Sequence, residues 1–268
     1  STIGIGVSKD VIDHELEKLQ RLFGYYRLRP PPRRDFDQFP VTMDSVVSQA
    51  ALMRPSVEGR TVVIPGDYDG LSFALVLYGW PKKVIVIELD GRTIRWIEKI
   101  ATEDSLPIEV IPHDLRCQYT SELRSLIGKV DVCRIDPPYN CAGMQCFLLR
   151  SAQLLQTSGE LFMCIPASSC DWGHRVFYNT RKILSSLRFA EVGEGVSNFV
   201  NLYPQIEGMT STFWHFKKTG DLSVPNEDFP FDIYHPSESY CKNHLKCKFY
   251  LPCILSREQW KSSRWTIF

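Results

Sequence analysis

Thr61–Gly70 reads TVVIPGDYDG and Val84–Asp90 reads VIVIELD. Each opens on a short β-branched run and stops at glycine or acid, the form of a strand buried on both faces that ends at a rim. The form returns in IEVIPHD (108–114), VDVCRID (130–136) and LFMCI (161–165), with segments of helical length and pattern between the runs. Strands alternating with helices imply right-handed crossovers and a parallel sheet covered on both faces. The predicted class is therefore α/β, a doubly wound, mostly parallel sheet, with STFWHFKK (211–218) as a late antiparallel strand.

In such a sheet, ligands lie beyond the carboxyl ends of the strands. There the sequence places Asp67 and Asp69 after the first run, Glu88 and Asp90 at the second, Asp114 after the third and Asp136 after the fourth. Any one of these is an ordinary helix cap or turn residue. Together they form an acidic rim, in a chain whose 31 basic and 31 acidic residues cancel, and such a rim suits a cationic ligand. The lack of a basic surplus argues against nucleic acid as a partner.

The nine cysteines are an odd number, and a chain of 268 residues builds a core without disulfide staples, which fits reduced thiols and a cytoplasmic location. The opening STIGIGVSKD has no signal segment, its missing initiator methionine is read as trimming, and no apolar run is long enough to cross a bilayer.

Three regions are expected. Residues 1–34 form an N-terminal helical stub, with Ile12, Leu16, Leu19 and Phe23 on one face, and a linker whose RPPPRR forbids helix. Residues 35–220 form the catalytic domain, opening with a helix that has Thr42 as N-cap and Val46, Val47, Ala50 and Leu52 as its apolar positions. Residues 221–268 are an irregular C-terminal extension.

The order of acids suits a nucleoside sulfonium. Glu88, with Asp90 as its competitor, is placed to accept from ribose hydroxyls, and Asp114 from an adenine amino group. His113 is read as structural. The turn Gly66-Asp67-Tyr68-Asp69-Gly70 puts two carboxylates where a cofactor carboxylate would lie, and these would repel it but pair with an ammonium. That favours decarboxylated S-adenosylmethionine over S-adenosylmethionine.

Asp136-Pro137-Pro138-Tyr139 supplies the reaction centre. Asp-Pro-Pro-Tyr is familiar from enzymes that alkylate nitrogen with a sulfonium cofactor. An amine must be neutral to attack, yet a free alkylamine has a pKa of about 10.4. Asp136 is placed to take its proton, Tyr139 to orient it and offer a ring face to the cation, and the prolines to fix the backbone. A nucleic-acid amino-methyltransferase shares the motif but needs basic residues near the site, where the rim is acidic.

The runs FDQFPVTMDSVV, EGRTVVIPGDYDGLSFAL, PKKVIVIELDGRTIRWIEK, IEVIPHDLR and DPPYNCAGMQCFLLR, in this order over roughly residues 35–165, resemble the branched-chain polyamine synthase family, the N(4)-bis(aminopropyl)spermidine synthases. The resemblance implies a Rossmann-like fold of class I methyltransferase type and transfer of aminopropyl groups from decarboxylated S-adenosylmethionine to an internal amine of spermidine. Asp136 then becomes the catalytic acid/base with Tyr139 beside it, and Pro137 and Asn140 join them around the acceptor. Asp67 and Asp69 take the aminopropyl amine and Glu88 and Asp114 the nucleoside, with Gly66, Asp90 and Gln38 completing the cofactor set. Tyr68 stands where the family commonly has a third consecutive aspartate, the N-terminal domain is at most a stub, and the chain beyond Asp221 departs from the family's tail. Aminopropyltransferases are commonly dimers, so a homodimer is the implied assembly. The alternative is methyl or aminocarboxypropyl transfer from S-adenosylmethionine to a small amine.

Cys241, His244, Cys247 and Cys253 are ligand types that zinc accepts, but their spacing is not a paired-knuckle pattern and no metal is expected. Cys141 and Cys146 are read as packing residues, because direct displacement needs no covalent intermediate. Trp172 and His174 near a helix start, and Asn198, Tyr203 and Glu207 beyond the fifth strand, are either pocket walls or ordinary packing and loop residues.

Overall fold

A computed structural model of the chain describes residues 9–166, 171–200, 210–221, 223–230 and 232–234. Helix α1 (Lys9–Arg27) and an extended proline arm lead into α2 (Met43–Val57). Then follow β1 (Thr61–Pro65), α3 (Leu71–Leu77), β2 (Lys83–Glu88), α4 (Gly91–Glu103), β3 (Ile108–Pro112), α5 (Ser121–Arg124), β4 (Val130–Ile135), α6 (Cys141–Leu154) and β5 (Leu155–Pro166). Helix α7 (Asp171–Ser186) and strands β6 (Phe189–Glu191), β7 (Val196–Val200) and β8 (Thr210–Lys218) complete it.

The sheet runs β3-β2-β1-β4-β5-β8-β6, with β7 also paired to β8. Strands β1 to β5 are mutually parallel, and β8 lies antiparallel to β5, from Glu160 opposite Lys217 to Pro166 opposite Ser211. The doubly wound α/β class read from the sequence is the one observed. The short β6 and β7 carry too little apolar pattern to have been foreseen.

Alternation along each strand builds two cores. Val63, Ile85, Ile87, Cys133 and Ile135 face α6 on one side. Val62, Ile64, Val84, Val86 and Val132 face α2, α3 and α4 on the other. Strand order reverses between β1 and β4, which have β2 and β5 as their outer neighbours. This switch point opens a crevice beyond the ends of β1 and β4, and it brings the loop after Pro65 against the loop after Ile135.

The helices correct the sequence reading in detail. Thr42 caps α2 as predicted, accepting from the Ser45 amide at 3.2 Å, and Val46 and Ala50 are buried with Met53 and Val57, but Leu52 faces out. In α1, Leu16 is 51% and Phe23 55% exposed, while Leu22 and Tyr25 are buried. The aromatic face wins because it has aromatic partners: Tyr25 lies 5.1 Å from Phe73, and its carbonyl accepts from the Trp96 indole at 3.0 Å. Behind α1 the proline arm crosses the rim, where the Pro30 carbonyl accepts from Tyr68 at 2.6 Å and the Pro31 carbonyl from Arg92 at 2.9 Å.

Beyond β8, residues 223–230 and 232–234 run along the α6 face of the sheet. Phe229 and Ile233 are buried in that core. Arg150 on α6, buried itself, donates to the carbonyls of Leu115 (2.7 Å), Cys117 (2.8 Å) and Glu227 (2.8 Å). Cys117, Cys133, Cys146 and Cys164 are free thiols, and among the described residues no helix is long and apolar enough to cross a membrane. Cys241, His244, Cys247 and Cys253 lie outside the described residues.

Arg150→Met should leave three carbonyls, the buried one of Leu115 among them, without their donor. A loss of roughly 3–5 kcal/mol in urea unfolding is expected. A loss below about 1 kcal/mol would show that the strap is not held through this side chain.

Candidate active site

The turn after β1 needs glycine at both ends, since Gly66 (φ 72°) and Gly70 (φ 69°) are left-handed. Gly70 is the N-cap of α3 and has no side chain to cap with. Asp67 does this instead, its two oxygens accepting from the amides of Leu71 (2.8 Å) and Ser72 (3.1 Å). Completely buried, its carboxyl is pushed up to about 6 by desolvation, against the hydrogen bonds from Ser72 and the charge of Arg134. Each oxygen of Asp67, expected to pair with a ligand ammonium, thus already accepts from the first turn of α3. Asp69 lies nearer the crevice, with Oδ1 accepting from the Val41 amide at 3.0 Å and Oδ2 3.3 Å from Arg134 Nη2.

At the end of β2, Glu88 accepts from the amides of Leu89 (2.8 Å), Asp90 (2.9 Å) and Asp67 (3.2 Å). Burial pushes its carboxyl up to about 7 in spite of them. Asp90 caps α4 through the Arg92 amide (3.0 Å), pairs with the Arg92 guanidinium (2.6 Å) and accepts from Gln38 Nε2 (2.8 Å). Burial acts to raise Asp90, but these bonds hold it below the usual carboxylate range. Gln38 Oε1 accepts in turn from the Arg33 amide at 2.8 Å, so Gln38 braces Asp90. Of the two competitors for a ribose, Glu88 is the less engaged by side chains.

Beyond β3, Asp114 is held by Arg116 at 2.8 Å and 3.1 Å, and burial is again outweighed, leaving it below the ordinary range. His113 contacts the Cys117 carbonyl at 3.3 Å and lies 5.5 Å from the Tyr119 ring. Across the mouth, Tyr234 of the strap sits 5.8 Å edge-on to Phe36 and 5.5 Å from the Arg116 guanidinium. Burial pushes its hydroxyl far up, with Glu88 and Asp114 adding to the effect.

Under the crevice lies a residue that the sequence reading passed over. Arg134 in β4 is 1% exposed and points with Val132 toward α2. Its Nη2 reaches Gln49 Oε1 at 2.8 Å, Asp69 Oδ2 at 3.3 Å, Asp136 Oδ2 at 3.4 Å and Cys164 Sγ at 3.8 Å. Burial opposes its charge, but Cys164, Asp136, Asp69 and Asp67 together keep it protonated.

Asp136 keeps 18% of its side chain exposed to the crevice. Burial pushes its carboxyl up to about 6; the Arg134 charge pulls it down, Asp69 pushes it up, and hydrogen bonds from Tyr139 and Cys164 favour the ion. Tyr139 bonds to Asp136, and burial sends its hydroxyl well above the ordinary range. Asn140 caps α6, accepting from the Gly143 amide at 2.8 Å, while its Nδ2 donates to the Ile233 carbonyl at 2.9 Å. The side-chain amide of Asn140, expected beside an acceptor, is thus engaged by α6 and by Ile233.

The acidic rim is thus largely charge-balanced. Asp90, Asp114 and Asp136 each face an arginine two residues away, at Arg92, Arg116 and Arg134. The signal was present as Asp-Gly-Arg, Asp-Leu-Arg and Arg-Ile-Asp at three strand ends. Tyr234 had no such signal. Cys146 donates to the Leu115 carbonyl and Cys141 accepts from Asn179, both in packing roles. The side chains of Trp172, His174 and Asn198, and all of Tyr203 and Glu207, lie outside the described residues. Among the described residues no group of His, Cys, Asp and Glu is arranged to hold a metal ion.

Two outcomes follow from this geometry. A Cβ added at Gly143 would lie 2.6 Å from the Pro138 carbonyl oxygen, too close for a backbone neighbour to remain in place. Gly143→Ala should move the Pro-Pro turn and lower turnover at least about tenfold, with circular dichroism unchanged; wild-type rates would show that the turn tolerates displacement. Glu88 is stabilised uncharged in the fold, so its contribution to stability is full below the ordinary carboxylate range and is lost as pH rises through about 7. Urea unfolding at pH 5 and pH 8 should therefore show a smaller decline for Glu88→Gln than for the wild type, and equal declines would refute this.

Residues 17–208 match the branched-chain polyamine synthase A C-terminal domain family. The N(4)-bis(aminopropyl)spermidine synthase of Thermococcus kodakarensis is 34% identical over 151 residues, which cover 55% of this chain and 42% of that one. The chain spans half or less of the length of the curated relatives that carry most of the similarity. In fold it is similar to the branched-chain polyamine synthase of Thermus thermophilus, solved with N4-aminopropylspermidine and 5'-methylthioadenosine, at a TM-score of 0.69 and 22% identity over 81% of this chain and 68% of that one. A putative RNA methyltransferase from Pyrococcus horikoshii shares the fold at a TM-score of 0.59 and 16% identity, over 76% of this chain and 96% of that one. With the family match running through every strand from β1 to β5 and through the Asp136 turn, the chain belongs to the branched-chain polyamine synthase family.

Proposed function

We propose that the protein is an aminopropyltransferase that moves the aminopropyl group of decarboxylated S-adenosylmethionine onto an amine of a spermidine-like polyamine. The observation that carries this reading is Asp136, a carboxylate with 18% exposure at the switch-point crevice, hydrogen-bonded by Tyr139 in a chain of this family. The amine lone pair attacks the methylene beside the sulfonium. The carbon–sulfur bond breaks, its electrons stay on sulfur as a neutral thioether, and the new ammonium passes its proton to Asp136. Inversion at the attacked carbon follows from direct displacement.

Other side chains take supporting parts. Glu88 accepts from the ribose and Asp114 from the adenine amino group, as dinucleotide folds use acids at these strand ends. Asp69 takes the aminopropyl ammonium, and Tyr139 presents its ring to the sulfonium or acceptor. The cytoplasm, expected from the free thiols, is the compartment this reading assumes, and a homodimer is its assembly.

Intact S-adenosylmethionine is the second reading, favoured by one observation. Asp67 is taken up by α3 and Asp69 faces Arg134, so the loop repels a cofactor carboxylate less than its letters suggest.

Mass spectrometry of products from spermidine with either donor decides between them. Aminopropyl adducts with the decarboxylated donor alone are expected, and fragmentation locates the substituted nitrogen. A methyl or aminocarboxypropyl adduct from the intact donor would establish the second reading. Asp136→Asn should cut kcat by about 10²–10⁴-fold at nearly unchanged donor affinity, and wild-type turnover would remove Asp136 as the base. Because Asp136 works as the carboxylate, kcat/KM should rise with pH through about 6.

A further inference from the structure

Arg134 has a geometry that the fold alone does not require. Its neighbours in β4 are apolar and wholly buried, and a hydrophobic residue of similar volume would pack there without desolvating a charge. Instead one nitrogen, Nη2, gathers acceptors from α2 (Gln49), the β1–α3 turn (Asp69), the loop after β4 (Asp136) and β5 (Cys164). Arg134 Nε and Gln49 Nε2 have no partner at all. The charge is thus aimed at one end of the side chain, where two carboxylates from different loops meet.

Two carboxylates in one buried site do not both ionise unless a cation lies between them. We propose that Arg134 is a positioning residue for the transfer reaction, holding the loops of Asp69 and Asp136 together on one guanidinium nitrogen so that Asp136 remains a free proton acceptor. The groups facing Asp136 are Arg134 on its own strand, Asp69 across the crevice, Tyr139 on the following loop and Cys164 on β5. Asp67 lies behind Asp69, with Tyr26 of α1 near both. Of these, Arg134 is the one cation. Without it, Asp136 would face Asp69 with no cation between them and would hold its proton to higher pH.

The inference rests on Asp136 as the proton acceptor, and the two are tested apart. The acidic limb of kcat/KM is measured against pH for wild type, Arg134→Lys and Arg134→Gln, with Asp136→Asn alongside, and Asp136 is titrated in the ligand-free proteins by carboxyl-carbon NMR. The limb and the NMR midpoint should move together to higher pH, least for Arg134→Lys and by about one to three pH units for Arg134→Gln, with turnover recovering at alkaline pH. Arg134→Lys keeps a cation in the site and decides the matter if Arg134→Gln does not fold. An unmoved limb in a folded variant, or a loss of rate equal at every pH, would overturn the role of Arg134. Full activity of Asp136→Asn would instead overturn the reading of the base and leave the NMR shift to report on Arg134.

Discussion

The crevice depends on one buried cation. Arg134 connects α2, the β1–α3 turn, the end of β4 and β5, the elements that surround the switch point. A parallel sheet supplies strand ends but does not decide how loops from neighbouring strands face one another. Here the loops carrying Asp69 and Asp136 meet on a common nitrogen, so moving either changes the electrostatics of the other. A guanidinium on a long apolar stem serves this purpose because the stem stays in the strand, beside Phe162 of β5, while the tip reaches the rim.

The balancing arginines change how the family's cationic substrates would be met. Asp90 with Arg92 and Asp114 with Arg116 are local ion pairs, so attraction over distance is small. On the proposed reading, recognition comes from groups at contact range: the accessible edge of Asp136, the Tyr139 hydroxyl, and Asp69. Glu88, raised toward neutrality by burial, acts as a hydrogen-bonding group more than as a charge. A pocket of this kind discriminates through where its acids point, and the helix caps at Asp67, Asp90 and Asn140 fix those directions.

Much of this was legible in the letters. The five parallel strands, the antiparallel β8 and the Thr42 cap follow from β-branched runs and cap chemistry, because a buried strand or a helix start leaves a local signature. The acids were placed at the correct strand ends for the same reason. Their roles were less legible, since a carboxylate reads alike whether it caps a helix, as Asp67 does, or faces a crevice, as Asp136 does. The α1 face was misread because Tyr25 and Tyr26 find Phe73 and Trp96 only through tertiary packing. Arg134 was passed over because one charged letter inside VDVCRID does not interrupt the strand pattern.

The far edge of the crevice shows why the segments before α2 and beyond β8 belong to the site. Phe36 follows the proline arm and Tyr234 closes the described strap, yet their rings meet 5.8 Å apart beside Arg116. Neither segment has a strand or long helix of its own to hold it there. The arm is tied through its carbonyls to Tyr68 and Arg92, and the strap through Arg150, Asn140 and the burial of Ile233. These ties end on the β1–α3 turn, on the first turn of α4 and on the helix following Asp136. A ligand seated between Glu88 and Asp114 would therefore press on groups that anchor both segments, and their closure would strengthen the hydrogen bonds in the crevice by excluding water.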